Sequence, residues 1–294
     1  MLAAPAFAQR EDAPPSPPRA VEMLLIAPNR RIAEGDDHYR RRHDGRSGAR
    51  ADPGPISRAI TAYEAAAEER SNAEARWKLA RALYFRATYT GLDAPGRLAM
   101  LERARRVGDE SLAILAERAE ARGKPALLRQ APAEIAAALH DDPDAAPAFF
   151  WCAVGWGEWA LAVGKVKAAR AGAATRIRDY AATIVALDPD FEEGGGHRIL
   201  GRLHHQAPRI PLLTGWVSRA EALRHLRAAA SGYPRNFVNR LFLAELLVDG
   251  GPADRAEAIR IVRELLREAP SRGHLVEESK IQQDAQRDLA VWAR

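Results

Sequence analysis

The chain has 294 residues, 47% of them apolar, which is enough to bury a large core. Aromatic residues are only 6% and β-branched runs of strand length are almost absent, so helix is favoured over sheet; with no run of about 18 consecutive apolar residues, a membrane-spanning helix is excluded. The net charge of +5 comes from arginines interleaved with glutamates, the pattern of a solvated helix face, and no RNP aromatic pattern, zinc-finger spacing or P-loop points to nucleic acid or nucleotide.

In chain order, residues 1–8 come first, where Ala6-Phe7-Ala8 has the small-x-small form that precedes signal-peptide cleavage. A basic n-region and most of an apolar h-region are missing from this remnant. The segment therefore reads either as the end of an export signal, which implies a periplasmic protein, or as an ordinary Ala/Pro-rich end. No cysteine follows the apparent cleavage site, so no lipobox is present. Residues 9–52 are rich in proline, arginine and aspartate and are expected to form a disordered tail, with Val21–Ile26 as its one apolar run.

From residue 53 to 294 apolar residues recur at helical spacing, in blocks broken by Gly/Pro/Asp clusters such as Tyr89–Gly96 and Leu187–Asp190. The blocks repeat. Ala222, Leu226, Ala229 and Pro234 reappear 36 residues on as Ala258, Val262, Leu265 and Pro270, and Ile177, Ala181, Ile184 and Pro189 fit the same frame. Graded matches to a Trp-x-x-Leu-Gly-x-x-Tyr first helix occur at Trp77/Tyr84, Trp151/Gly155, His197/Gly201 and Leu243/Ala244. The fold expected is all-α: a right-handed TPR-like helical-hairpin solenoid of about four degenerate units. Half a unit at Ala59, Tyr63 and Ala66 precedes it, ten extra residues at 206–215 interrupt the third unit, and a helix at 277–292 caps the stack.

Within this frame the chain resembles a narrower family, the TPR-containing T-components associated with TRAP transporters. The resemblance covers roughly residues 73–292 and rests on Ala82–Phe85, Trp151 with Gly155, Leu187–Phe191 followed by Gly194–Gly201, and Tyr233–Asn236. It implies a periplasmic adaptor that meets a solute-binding protein and passes a small ligand to or from it.

The candidate residues follow from the repeat frame. Trp77, Tyr84, Trp151, Gly155, His197 and Gly201 fall at the packing seam. One position past each seam, and one or two turns on, lie Lys78, Phe85 and Arg86; Cys152, Trp156 and Trp159; Arg198, Arg202 and His205; and Leu241 with Glu245, expected to line a groove for a partner or ligand with an apolar body and a carboxylate. Trp156 and Trp159 read equally as groove or as core. His197 and His204 lie two helical turns apart, about 10 Å by helical rise, which favours structural histidines over a metal site. Gly194–Gly196 reads as a tight turn between close helices before an anion cradle. Asp141-Asp142 and Glu192-Glu193 read as turn and capping groups, and Cys152, the single cysteine, allows neither an intrachain disulfide nor a cysteine-rich metal site. The function expected is therefore non-catalytic binding with no cofactor or metal, its partner a solute-binding protein or other protein, with homo-oligomers open; a cytoplasmic scaffold or chaperone adaptor binding peptide segments is the alternative, an enzyme the weakest reading.

Overall fold

A computed structural model describes residues 19–211 and 213–293, the side chains from residue 30 onward. Among the described residues the protein is all-helical, with no strand. Helices α1 (Arg19–Arg40) and α2 (Pro53–Ala67) form a first hairpin, and α3 (Ala73–Tyr89) and α4 (Ala94–Ala121) a second. After a 3-10 turn at Leu127–Arg129 and the short α5 (Pro132–Leu139), α6 (Ala145–Val163) pairs with α8 (Ala173–Leu187) across α7 (Lys165–Arg170). Then α9 (Phe191–Gln206) pairs with α10 (Arg219–Gly232), α11 (Phe237–Leu247) with α12 (Pro252–Leu265), and α13 (Leu275–Trp292) lies on the last pair. Each first helix also touches the next first helix, α3 to α6, α6 to α9, α9 to α11 and α11 to α13.

The sequence explains the starts of these helices. Asp52, Asn72, Asp93, Ser218 and Asn236 each accept a backbone N–H of the following first turn, and prolines occupy the opening turn of α2, α4, α5 and α12, where a missing N–H does no harm. The repeat-frame residues of α8, α10 and α12 are all buried: Ile177, Ala181, Ile184; Ala222, Leu226, Ala229; Ala258, Val262, Leu265. Small side chains in this frame let helix axes approach. An ideal Cβ on Gly201 stands 2.5 Å from the Leu226 side chain and 3.0 Å from its backbone nitrogen, and one on Gly155 stands 3.2 Å from the Arg105 backbone. Gly201→Leu therefore drives α9 off α10 and is expected to destabilise by about 1–3 kcal/mol, read as a shifted denaturant midpoint; an unshifted midpoint removes the close crossing.

Residue 53 is not the edge of the fold. The tail expected over 9–52 is, from residue 19, helix and then a turn-rich segment packed on the domain; residues 1–18, including the signal remnant, lie outside the described residues. Its physical reason is a set of specific polar contacts in place of a large apolar face. Asp36 of α1 receives the Lys78 ammonium at 2.6 Å and the Tyr63 hydroxyl at 2.7 Å, Gly35 lies flat against the Tyr63 ring, and Ala51 N–H donates to the Tyr89 carbonyl at 2.8 Å. The half unit at Ala59, Tyr63 and Ala66 is thus completed by α1 as its first helix. Two further insertions, α5 and α7, join the expected one after Gln206.

Candidate functional site

The two ends of the described chain meet on the side of the first helices. Arg42, just past α1, donates through Nε to Glu277 Oε1 at 2.9 Å and through Nη2 to the Gly273 carbonyl at 2.7 Å. His43 Nε2–H donates to the same carbonyl at 2.8 Å. Val276 at the start of α13 is fully buried in the apolar cluster of Ile56, Tyr63, Phe85 and Tyr89. Because a carbonyl only accepts, neutral His43 carries its proton on Nε2 and turns the Nδ1 lone pair to Glu277 Oε2, 3.5 Å away, with neither atom otherwise bonded. Burial lowers the pKa of His43, and the Glu277 carboxylate opposes that shift.

Next to this clasp lies a row of charges of both signs, carried mostly by the first helices. Arg97 at the start of α4 pairs with Glu158 of α6 at 2.8 Å, and Arg202 of α9 pairs with Glu245 of α11. Glu158 lies 27% exposed, yet burial is the main cause raising its pKa, with Arg97 and then Arg202 pulling it down, so it occupies a recess that water reaches. Glu245 is also raised by burial, with Asp288 of α13 adding to the rise, and Arg202 is among the cations that lower Asp288. Glu158, Arg202, Glu245 and Asp288 follow one another in the chain by 44, 43 and 43 residues. That regular step is the sequence signal that could have found the row; searching for the 36-residue step of the second helices hid it, because the insertions lengthen these units.

Beside this row stands an aromatic group. Tyr84 faces Trp151 with ring centroids 5.9 Å apart and Tyr89 at 6.1 Å, and Phe150 packs on Phe191. Arg198 of α9 reaches over Phe150 at 5.8 Å, makes no ion pair among the described residues, and has its pKa lowered chiefly by burial. Its Nη1 donates to the Glu192 carbonyl at 3.1 Å and to Asn239 Oδ1 at 2.9 Å. These bonds hold an unusual backbone: Glu192, Glu193 and Gly194 take φ of 50°, 55° and 76°, a left-handed turn that costs about 1–2 kcal/mol at each non-glycine residue. Fully buried Asn239 completes the brace by donating to the Glu193 carbonyl at 2.9 Å and the Ala229 carbonyl at 3.1 Å. Gly195 and Gly196 then allow α9 to approach Phe150 and Val185, where a Cβ would stand 2.5 and 2.8 Å away.

The expected groove set divides. Lys78, 8% exposed, is locked between Asp36 and Glu74, and Phe85 is core against Tyr39, His43 and Tyr89. Arg86 turns to Ser57 of α2. Trp156 and Trp159 are buried, of the two readings the core one, and Cys152 is buried with them. The Trp156 indole donates to Asp109 of α4 at 2.8 Å, and Arg105 lies over both tryptophan rings at 4.5 and 5.0 Å. The sliding rule failed there because α6 is covered on that side by both α4 and α8. Leu241 is likewise buried, while His205 faces Asp249 at 3.9 Å. Only Arg198, Arg202 and Glu245 of the set, with the seam residues Tyr84 and Trp151, belong to the row and aromatic group described above. The remaining seam residues join helices: Trp77 donates to Asp144 of α6 at 3.0 Å, and Gly155 and Gly201 sit at close crossings.

His197 and His204 do meet, through a third histidine absent from the sequence reading. Arg224 Nη2 donates to His225 Nε2 at 2.8 Å, which places the His225 proton on Nδ1, from where it donates to His197 Nδ1 at 2.8 Å. His204 stacks on His225 at 6.3 Å and accepts the Ser218 N–H. Among the described residues no group of three or more His, Cys, Asp or Glu side chains is placed to hold a metal ion, and no helix is long and apolar enough to cross a membrane. Compared with models of known protein families and with curated proteins, the chain matches none.

Proposed function

We propose that this protein is a non-catalytic binding protein or adaptor of TPR-like, right-handed hairpin-solenoid architecture, and that it holds its ligand or partner against the row of first helices. The observation that carries the reading is the recess of Glu158 with Arg97 and Arg202, bordered by Tyr84 and Trp151 and by Arg198, a guanidinium outside any ion pair among the described residues. Aromatic faces accept an apolar body, and a desolvated guanidinium accepts a carboxylate strongly. The neighbouring Arg97–Glu158 and Arg202–Glu245 pairs leave the recess near neutral, which favours a small carboxylate with apolar substance over a polyanion. Export to the periplasm and association with a TRAP-type uptake system and its solute-binding protein extend the proposal, supported by the Ala6-Phe7-Ala8 motif and by the resemblance around Leu187–Gly201.

Native mass spectrometry of the full chain, purified from its own cells, tests the reading. A co-purified small acid is expected, displaced stoichiometrically by added medium-chain carboxylates with a change in tryptophan fluorescence. Cell fractionation should place the protein outside the cytoplasm. A ligand-free chain that answers neither to carboxylates nor to a solute-binding protein from the same cells would sink the proposal.

A further inference from the structure

The stretches Trp159–Arg178 and Gly194–Ala220 contain no acidic residue, in a protein that carries 39 aspartates and glutamates. Each stretch holds an insertion that interrupts the hairpin alternation: the connection through α7, and the loop over residues 207–217. The fold brings the two together. Helix α7 leads into α8 and packs on it, while Trp216 of the loop lies against the Arg178 guanidinium of α8 at 4.8 Å and edge-on to His204 at 5.2 Å. Both insertions follow first helices, so they lie along one edge of the hairpin stack.

That edge exposes what the rest of the molecule hides. Leu161, Val166 and Leu213 are 60, 66 and 55% exposed, and they make up three of the five exposed large apolar side chains among the described residues. They alternate with exposed Lys165, Lys167, Arg170 and Arg209. Two carboxylates reach cations of this edge: Glu102 of α4 lies 3.7 Å from the Lys167 ammonium, and Asp179 of α8 takes Arg178. The described residues of the loop are braced by their own hydrogen bonds. Ile210 N–H donates to Thr214 Oγ1 at 2.9 Å, Thr214 N–H returns to the Ile210 carbonyl at 2.8 Å, and the Trp216 indole donates to the Leu213 carbonyl at 3.2 Å, which leaves the Leu213 side chain outside.

We propose that this edge docks on an anionic lipid surface, with Leu161, Val166 and Leu213 entering the headgroup boundary and Lys165, Lys167, Arg170 and Arg209 meeting lipid phosphates. Single apolar side chains spaced by cations, with no carboxylate in either chain segment and the Glu102 and Asp179 carboxylates paired, fit a fluid negative interface, where apolar burial and charge attraction add. A stable protein interface asks instead for a continuous apolar centre with the charges at its rim. No part of this inference depends on what the row of first helices binds.

Co-sedimentation of the full chain with vesicles of phosphatidylcholine mixed with phosphatidylglycerol, against vesicles of phosphatidylcholine alone, tests it. The mixed vesicles should bind and the neutral ones bind at least about tenfold more weakly, with attraction falling as salt is raised. The pair Val166→Asp with Leu213→Asp, and separately Lys165→Gln with Lys167→Gln, should each lower binding about tenfold. Their melting curves should match wild type, because these side chains are exposed. Equal binding to both vesicle types, or binding that both double variants retain, overturns the proposal. So does absence of vesicle binding together with self-association, by sedimentation velocity, that the same variants abolish, since the edge would then be a protein contact.

Discussion

A chain that starts at Pro53 should lose cooperative unfolding or melt at least ten degrees below the full protein. The composition of residues 9–52 argues the opposite, since a proline- and charge-rich segment buries too little apolar surface to offset its ordering. Its contacts decide the matter. Removing α1 takes Asp36 from Lys78, a side chain with little access to water, and from Tyr63, and it takes the Tyr39 ring from beneath Arg81, 3.8 Å away. Lys78 keeps Glu74 as its remaining partner, so the loss falls on the Tyr63 hydroxyl, which loses its acceptor, and on the cluster of Ile32, Ala66 and Ala75, which is uncovered. The Arg42–Glu277 pair disappears as well, so the deletion loosens both ends of the helix stack. Differential scanning calorimetry of the two chains gives the answer, and a Pro53 variant melting within a few degrees of the full chain would falsify the packed role of α1. Arg42→Gln and Glu277→Gln, singly and together, isolate the clasp: a coupling energy above about 1 kcal/mol is expected from a close, largely buried pair.

What could be read from sequence was the apolar skeleton. Ala222/Leu226/Ala229 and their echo at Ala258/Val262/Leu265 are buried as their spacing requires, because a small-large alternation at helical period has one low-energy solution, a packed helix face. Helix starts were legible for the same local reason, through Asp52, Asn72, Asp93, Ser218 and Asn236. The recess was only partly legible. Arg198, Arg202 and Glu245 fell in the expected set, but Arg97, Glu158 and Asp288 did not, since pairing across neighbouring helices depends on which insertions lengthen each unit. Lys78, Phe85, Trp156 and Trp159 were misplaced because a frame slid along one helix says which face a residue occupies, and not whether another helix covers it. Asp36 and Arg42 were invisible: their partners lie 42 and 235 residues away, and nothing in Asp36-Asp37-His38-Tyr39 or Arg40–His43 distinguishes a solvated charge from a paired one.

Acid should weaken the α9–α10 hairpin in a window set by its histidines. His225 is held down to about 4 from an ordinary 6.5, first by burial, then by the Arg224 guanidinium and by His197, with Glu221 opposing. His197 is lowered by burial and Arg224; His204 is lowered by burial, with Glu221 opposing and Arg224 and Arg178 adding. In each case the folded state binds its proton less readily than the unfolded chain, so stability is intact above the ordinary histidine pKa. It falls as pH drops below about 6.5, and for His225 the loss levels off near pH 4. That single residue is expected to contribute on the order of 2 kcal/mol of the loss, at roughly 1.4 kcal/mol per pKa unit discounted for solvent screening. The bonding chain points the same way, because Arg224 already donates to His225 Nε2, and a proton added there must displace that donor, with the Glu221 carboxylate 3.8 Å away. His225→Phe removes this titration while keeping a planar ring. The drop in melting temperature between pH 7 and pH 4.5 should therefore be smaller in the variant by several degrees, with carboxylates elsewhere contributing equally to both proteins. Parallel pH profiles for variant and wild type would show that His225 changes its proton affinity little on folding.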